Sequence, residues 1–187
     1  MRGQGMDRRR FLGSSGQAAA GVIVMASSGA TLMIAADGAW AMALKTLDGH
    51  QGQVLLGAVR TMYPHAALSD RYYAQVVEAL DQDAGADAAT AELLKSGVAD
   101  LDQAIPVPWL DLSEGHREQA LRSIEATPFF QALRGKTVTT LYNNERVWQA
   151  FGYEGPSFDD GGYLDRGFDD LAWLPEPPEE ASPTMEL

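Results

Sequence analysis

The acidic side chains between Asp159 and Asp170 come nearest to a chemical site. Carboxylates this close together could bind calcium or take part in acid–base catalysis. The segment holds Asp159, Asp160, Asp165, Asp169 and Asp170. Phe168 and the lack of a Glu at the twelfth position do not fit an EF-hand loop. Since Arg166 stands among these carboxylates, we expect ion pairs that fix the local backbone.

The other residue types with chemical potential form no recognisable pattern. His50, His65 and His116 lack the mutual spacing of metal ligands, so we expect surface or capping residues. Ser157 lacks the strand–turn–helix context of a hydrolase nucleophile. No G-x-G-x-x-G motif follows a strand, and the absence of cysteine excludes thiolate zinc, iron–sulfur ligation and c-type haem attachment. We therefore expect no catalytic residue, metal or cofactor in this chain.

Aromatic residues interrupted by glycine and proline dominate residues 141–175. So many turn residues exclude a regular helix, while so many large rings are costly to leave in water. One interpretation is a loop folded over the chain's own core. The other, which we favour, is an arm whose rings fill pockets on a partner protein. Its predicted contact residues are Tyr153, Pro156, Phe158, Tyr163, Arg166, Phe168 and Trp173.

The same stretch resembles a known family. The residues that carry the resemblance are Tyr142-Asn143-Asn144, Trp148, the run GYEGPS at 152–157 and the run GYLDRGFDD at 162–170. They resemble the gluconate 2-dehydrogenase subunit 3 family, specifically over 141–175 and more loosely over about 50–175. Members are small, non-catalytic subunits of membrane-associated sugar and polyol dehydrogenases. They more often carry Asn where Asp165 stands, and some carry a cysteine bonded to the large subunit.

The resemblance implies a complex in which another chain carries the chemistry. The implied partner is a large flavin-dependent subunit of the glucose–methanol–choline type, which holds FAD and, as a further candidate, an iron–sulfur cluster. A cytochrome c subunit with haem would anchor the complex to the membrane and accept the electrons. The small subunit would serve export, maturation and stability of the large one. Because this chain lacks cysteine, its assembly would be non-covalent.

The N-terminal residues resemble a twin-arginine export motif. Arg8 and Arg9 form the pair, and Phe11 and Leu12 follow it. Either Met1 or Met6 could be the start without loss of this motif. We therefore expect the chain to engage the twin-arginine translocase and to reach the periplasm.

A weakly apolar stretch from about residue 16 to residue 36 follows the motif. It leads to Ala39-Trp40-Ala41, an A-x-A site at which signal peptidase could cut before Met42. The length would also allow a membrane anchor, but the stretch is rich in Ala, Gly and Ser. We predict a cleaved signal over 1–41, with Ala39 and Ala41 at the cleavage site.

Composition and charge limit the class of protein. A chain of 187 residues with 45% hydrophobic residues can bury the core of one ordinary domain. The net charge of −12 argues against binding to nucleic acid or directly to an anionic membrane surface.

Apolar residues at helical spacing predict an all-α fold. We expect helices that start near Gln51, Ser69, Asp87, Ser113 and Thr127, with Ile105 and Val138 on buried faces. A short helix should run from about 144 to 151 and end at a left-handed Gly152. The polar run 82–87 predicts a break, with Asp81 and Asp83 as a solvated helix end. No segment alternates with period two for long enough to predict a sheet.

The predicted architecture is thus a small irregular domain of about five to six helices at 42–151. A partner-binding arm follows at 152–175 and a disordered acidic tail at 176–187. Two other functions remain open: an enzyme with a carboxylate site near Asp159–Asp170, and a free-standing periplasmic binding domain whose aromatics close over a small ligand. The sequence does not indicate which sugar, polyol or sugar acid the implied complex would oxidise.

Overall fold

The computed structural model describes residues 22–27, 29–36, 39–158 and 161–162. The described chain starts with three β-strands and continues with six α-helices. A 3-10 turn at Trp109–Asp111 joins the third and fourth helices. The elements are β1 Val22–Ser27, β2 Ala30–Ala35, β3 Ala41–Leu44, α1 Gly49–Met62, α2 Asp70–Ala86, α3 Ala88–Gln103, α4 Glu114–Ser123, α5 Pro128–Leu141 and α6 Glu145–Phe151. The predicted small helical domain of about six helices is confirmed.

The three strands form an antiparallel sheet in the order β1–β2–β3. Gly29 adopts a positive φ of 96° in the turn between β1 and β2, a conformation that glycine takes without steric cost. In the register, Val22 faces Ala35, and Ile34 faces Ala41. The interpretation that no segment of this chain forms a sheet is therefore wrong.

Alternating burial identifies the inner face of the sheet. Met33 and Ala35 of β2 and Met42 and Leu44 of β3 are buried, while their neighbours are more exposed. The strands β2 and β3 thus each offer only two fully buried positions at two-residue spacing. A run this short does not stand out from the surrounding Ala, Met and Ile, which explains why period-two reasoning missed the sheet.

Two glycines of α1 let the sheet approach the helix closely. A Cβ atom at Gly49 would lie 2.2 Å from Cγ1 of Val24 on β1. At Gly52, one turn further, a Cβ atom would lie 2.6 Å from both Sδ of Met33 and Cδ1 of Leu44. Real Cβ atoms do not approach other atoms this closely, so side chains of the sheet occupy the space that the two glycines leave.

The helix α2 is the centre of the helical part and packs against α1, α3, α5 and β3. Tyr73, Val76, Val77 and Leu80 of α2 are buried in the core. Gly97 of α3 meets the ring of Phe129 on α5, and a Cβ there would lie 2.1 Å from ring atom Cδ2. The largest fully buried side chains are Trp109, Tyr73, Met33, Met42, Leu44, Leu55, Leu80, Leu94, Leu101, Leu133 and Leu141.

The carboxylate of Asp81 holds the connection between β3 and α1. Asp81 is only 3% exposed. Its Oδ1 accepts the backbone N–H groups of Thr46 and Leu47 at 2.9 and 2.8 Å, and its Oδ2 accepts that of Lys45 at 2.8 Å. The expectation that Asp81 is a solvated helix end is wrong. Burial is tolerated because three donors satisfy the charged group.

Side chains near the start of three helices accept hydrogen bonds from the backbone N–H groups of the first turn. Asp48 and Gln51 form a capping box at the start of α1, and Asp87 accepts backbone N–H bonds from Ala89 and Thr90 at the start of α3. Thr127 caps α5 ahead of Pro128, as its sequence predicts.

Three details of the helical prediction are corrected. The expected break at 82–87 is absent, because α2 continues to Ala86 and only Asp87 separates it from α3. Ile105 lies beyond the end of α3 at Gln103 and is partly buried. Val138 is 40% exposed, and Thr137 takes the buried position beside it. The Thr137 hydroxyl donates to the Leu133 carbonyl at 2.7 Å, which satisfies it inside α5.

Within the part of the chain that the structure describes, no helix has the length and hydrophobicity needed to cross a membrane.

Candidate functional site

The root of the predicted arm is fixed by the short helix α6. Asn144 caps this helix by accepting the N–H of Arg146 at 3.0 Å, and Val147 is its buried residue. Gly152 ends it with a positive φ of 73°, as the sequence predicts. The N–H of Tyr153 then donates to the carbonyl of Trp148 at 2.9 Å. The chain therefore leaves α6 in a defined direction.

Trp148 connects the helical domain to the first residues of the arm. Its indole N–H donates to the carbonyl of Tyr142 at 2.6 Å, and its ring meets the Tyr153 ring edge-on at 5.4 Å between centroids. Gly155, with φ 106°, passes over the same indole, so that a Cβ atom there would lie 3.6 Å from Cζ3. The half-buried Trp148 is thus the anchor on which residues 153–155 rest.

A second set of contacts ties the root to the end of α1. The Tyr142 hydroxyl and Nε2 of His65 lie 2.5 Å apart, with donor and acceptor set by the histidine tautomer. The His65 ring packs on Phe151 at 4.9 Å, and the Tyr142 ring packs edge-on against Tyr63 at 5.9 Å. Burial raises the pKa of the Tyr142 phenol above its ordinary value of 10.0, so the hydroxyl keeps its proton at neutral pH.

Arg60 organises the loop that carries His65. Its guanidinium donates to the carbonyls of His65 and Leu68, each at 3.0 Å, and pairs with the Asp70 carboxylate at 3.4 Å. It also lies over the Tyr73 ring at 4.6 Å from the centroid. These contacts fix the α1–α2 loop. The loop in turn positions the aromatic cluster of Tyr63, His65, Tyr142 and Phe151.

The root also contacts α2 directly. The amide of Asn144 donates to Oε1 of Gln75 at 3.0 Å, which joins residues 69 positions apart in the sequence. The first residues of the arm are therefore positioned by α1, α2, α5 and α6 together.

Beyond this root, apolar rings face solvent. Phe151 is 44% exposed, Tyr153 49% and Phe158 89%. The carbonyl of Phe158 accepts the N–H of Gly161 at 3.3 Å. Pro156 is also exposed. The exposed Phe158 leaves a large apolar ring in water, and such a ring can act as an anchor when it is buried on another surface.

The structure describes three residues of the predicted contact set, and their role as contacts stays a prediction. Tyr153, Pro156 and Phe158 lie within ten residues of the root. The other predicted contacts, Tyr163, Arg166, Phe168 and Trp173, lie outside the described residues, as do the carboxylates from Asp159 to Asp170 and the tail 176–187. The predicted disorder of that tail, and the ion pairs expected around Arg166, stay predictions.

The predicted export residues fall in two places. Arg8, Arg9, Phe11 and Leu12 lie outside the described residues. Ala39 and Ala41 are exposed and flank the buried Trp40 at the entry to β3, where Ala41 pairs with Ile34. The signal peptide and its cleavage stay predictions.

The three histidines each contact one polar partner. Nε2 of His50 lies 2.6 Å from Oδ2 of Asp102, and Nδ1 of His116 lies 2.9 Å from the Ser113 hydroxyl. His65 pairs with Tyr142, as described above. The His116 contact joins two side chains at the start of α4, where Ser113 makes no side-chain cap hydrogen bond. Among the described residues, no group of three or more His, Asp or Glu side chains is arranged to hold a metal ion.

Two hollows of the described surface are small. One lies between Met62, Leu121 and Phe130, and another lies between Trp40 and the helix α2; each holds about 160 Å³. Pockets for small organic ligands are commonly about 300 to 1,000 Å³. Neither hollow therefore favours the interpretation as a small-ligand binding domain.

Sequence reasoning missed His65 and Gln75 as supports of the arm root. Their partners lie 77 and 69 residues away, and no local pattern links them. Fold and site together define a small helical domain with a three-stranded sheet and a ring-bearing segment, 152–158, whose root is held by Trp148, Tyr142 and His65. Comparisons with protein-family models, with curated proteins and with solved structures found no match.

Proposed function

We propose that this chain is the non-catalytic small subunit of a periplasmic, flavin-dependent dehydrogenase complex. In this role it serves twin-arginine export, maturation and stability of a catalytic subunit of the glucose–methanol–choline type. The observation that carries the proposal is Phe158, whose ring is 89% exposed on a segment with a fixed root. The resemblance of residues 141–175 to gluconate 2-dehydrogenase subunit 3 supplies the identity of the proposed partner.

The geometry of the root supports a docking role. Trp148, Tyr142 and His65 fix where the chain leaves the domain, so less conformational entropy is lost when the rings beyond it bind. Tyr153 and Phe158 already present their rings to solvent. A partner with matching pockets would bury them, and binding to its folded form alone would stabilise that form by mass action.

The proposed export route fits this division of labour. The twin-arginine translocase carries folded proteins, commonly ones that take up a cofactor before they cross the membrane. A small subunit with an Arg8-Arg9 signal could carry a folded flavoprotein with it. FAD, with an iron–sulfur cluster as a further candidate, would lie in the large subunit, and a cytochrome c subunit would hold haem and attach the complex to the membrane.

Co-purification with substituted arm residues tests the proposal. The tagged chain is purified from detergent-solubilised membranes of its own host, and bound FAD and dehydrogenase activity with an artificial acceptor are measured per mole of tag. Phe158→Ala and Trp173→Ala should each lower both values about tenfold or more, because a large ring at an interface centre contributes about 2–4 kcal/mol. Val107→Ala is a matched control, since Val107 is also exposed, at 41%, but lies outside the arm.

Hydrogen exchange separates an arm that docks on a partner from a loop that packs on its own domain. In the complex, amides of 152–174 should be protected, and in the isolated chain those beyond the hydrogen-bonded Tyr153 should exchange fast. The isolated chain should also lack stoichiometric flavin or haem absorption. Equal protection of 152–174 in both forms, or a chromophore in the isolated chain, would contradict the proposed role.

A further inference from the structure

The A-x-A motif at residues 39–41 is built into the sheet. Ala41 pairs with Ile34 across β2 and β3, and the N–H of Ala35 donates to the carbonyl of Trp40 at 3.0 Å. The Trp40 side chain is only 7% exposed. Proteases cut most readily at exposed, locally unfolded segments that fit an active-site cleft. This segment is instead hydrogen-bonded on one side and anchored by a buried ring.

Cleavage after Ala41 would also remove part of the core. Met33, Ala35 and Trp40 are 0%, 1% and 7% exposed, and all three precede the cut. The residues left behind, Met42 and Leu44, would lose their neighbouring strand. A single short strand has no stable hydrogen-bonded partner, and the exposed apolar core would favour aggregation.

Two glycines of α1 lie directly against side chains of the sheet. Gly49 faces Val24 of β1, and Gly52 faces Met33 of β2 and Leu44 of β3. Glycine within a helix has a conformational-entropy cost relative to alanine. Here that cost is offset by close packing of strands that lie inside the segment expected to be an export signal.

We infer that the sheet β1–β3 is a permanent part of the folded domain and that folding protects the 39–41 motif from cleavage. The mature protein then retains residues 22–44, and any cut that ends an export signal falls before Val22. The inference does not depend on the proposed dehydrogenase partner, because it follows from packing within this chain alone.

Limited digestion with elastase, which cuts after small residues such as alanine, tests the protection. In the purified full chain, cleavage within 39–44 should be at least about 100-fold slower under native conditions than in urea, since it requires the sheet to open. Mass spectrometry of the intact fragments identifies the position of each cut. Fast native cleavage after Ala39 or Ala41 that leaves the helical part folded would overturn the inference.

Two matched variants show whether the protection comes from sheet packing. Gly52→Leu places a side chain where Met33 and Leu44 lie, so cleavage within 39–44 should become at least about tenfold faster. Gly135→Leu on α5 faces open space and should leave the rate unchanged. Equal rates in the two variants would show that the sheet does not pack on α1.

Hydrogen exchange of the unsubstituted chain keeps the inference testable if Gly52→Leu does not fold. Amides of β2 and β3 that pair within the sheet should be protected to a level similar to those in the centre of α2. Free exchange of the strand amides beside a protected α2 would overturn the inference.

Discussion

At the scale of single residues, Asp81 shows how a charged group becomes structural. Three backbone N–H groups converge on its carboxylate, and together they cover the turn between the sheet and α1. Hydrogen bonds to an ionised acceptor are stronger than neutral ones, and a donor left without a partner in a buried site is costly. One side chain of α2 thus fixes the point where the strands meet the helices.

Substitution of Asp81 should test this directly. Asp81→Ala should lower the free energy of unfolding by about 2–4 kcal/mol, because three donors lose their acceptor. Asp81→Asn keeps one acceptor oxygen and should cost less. Urea denaturation followed by circular dichroism gives the values. Asp83→Ala is the control: Asp83 pairs with Lys136 but is 44% exposed, so its loss should cost at most about 1 kcal/mol. Equal effects at positions 81 and 83 would contradict the assigned role.

At the scale of elements, helix ends are determined by neighbours in sequence. Asp87 ends α2 and begins α3, and its side chain accepts from the backbone and hydroxyl of Thr90. The Thr90 hydroxyl bond, followed by the Thr90 backbone bond, lowers the pKa of Asp87 below its ordinary 3.8. A carboxylate with a lowered folded pKa stabilises the protein above the unfolded pKa, and this stabilisation is lost as the pH falls through the folded value.

The pH dependence of this cap can be measured. Asp87→Asn keeps a good N-cap residue but removes the titrating group. The unsubstituted chain should therefore be more stable than Asp87→Asn near pH 6, and the difference should shrink as the pH falls below about 4. Urea denaturation of both proteins from pH 6 to pH 3 gives the difference in stability. The other carboxylates are the same in the two proteins, so their titration cancels in this difference. If the difference in stability stays constant or grows as the pH falls, the predicted direction of the pH dependence is wrong.

At the scale of the whole molecule, the described residues form a sheet, a helical layer and the segment 152–158 that follows α6. The sheet covers α1 and α2, while the aromatic cluster of Tyr63, His65, Tyr142 and Phe151 holds the arm root where α1, α5 and α6 meet. In the proposed role, the helical core stabilises the domain and the root sets the direction in which the chain leaves it. The exposed rings contact the partner protein.

The proposed export function makes a prediction for the intact cell. Changing Arg8 and Arg9 together to Lys should leave both this chain and dehydrogenase activity in the cytoplasm, because Lys lacks the planar guanidinium that the pair presents. Cell fractionation with activity assays gives the distribution. Arg10→Lys is the matched control and should leave export intact. Normal periplasmic activity in the double variant would rule out the carrier role.

Sequence alone determined the features that depend on residues within about four positions of one another. Thr127-Pro128 marked the start of α5, Asp87 the start of α3, and Gly152 the end of α6. Such signals work because a cap or a left-handed glycine satisfies backbone groups of its own helix. The aromatic residues after α6 were also evident from the sequence, but the exposure of Tyr153 and Phe158 came from the structure.

Only the tertiary structure decided the contacts between distant residues. Asp81 accepts a hydrogen bond from the N–H of Leu47, which is 34 positions away in the sequence. His65 is hydrogen-bonded to Tyr142, which is 77 positions away. The sheet was missed for the same reason: each strand shows too few alternating residues to be recognised alone, and its stability comes from packing on Gly49 and Gly52. A short strand or a buried carboxylate is specified by the partners that folding brings to it, and sequence spacing does not record those partners.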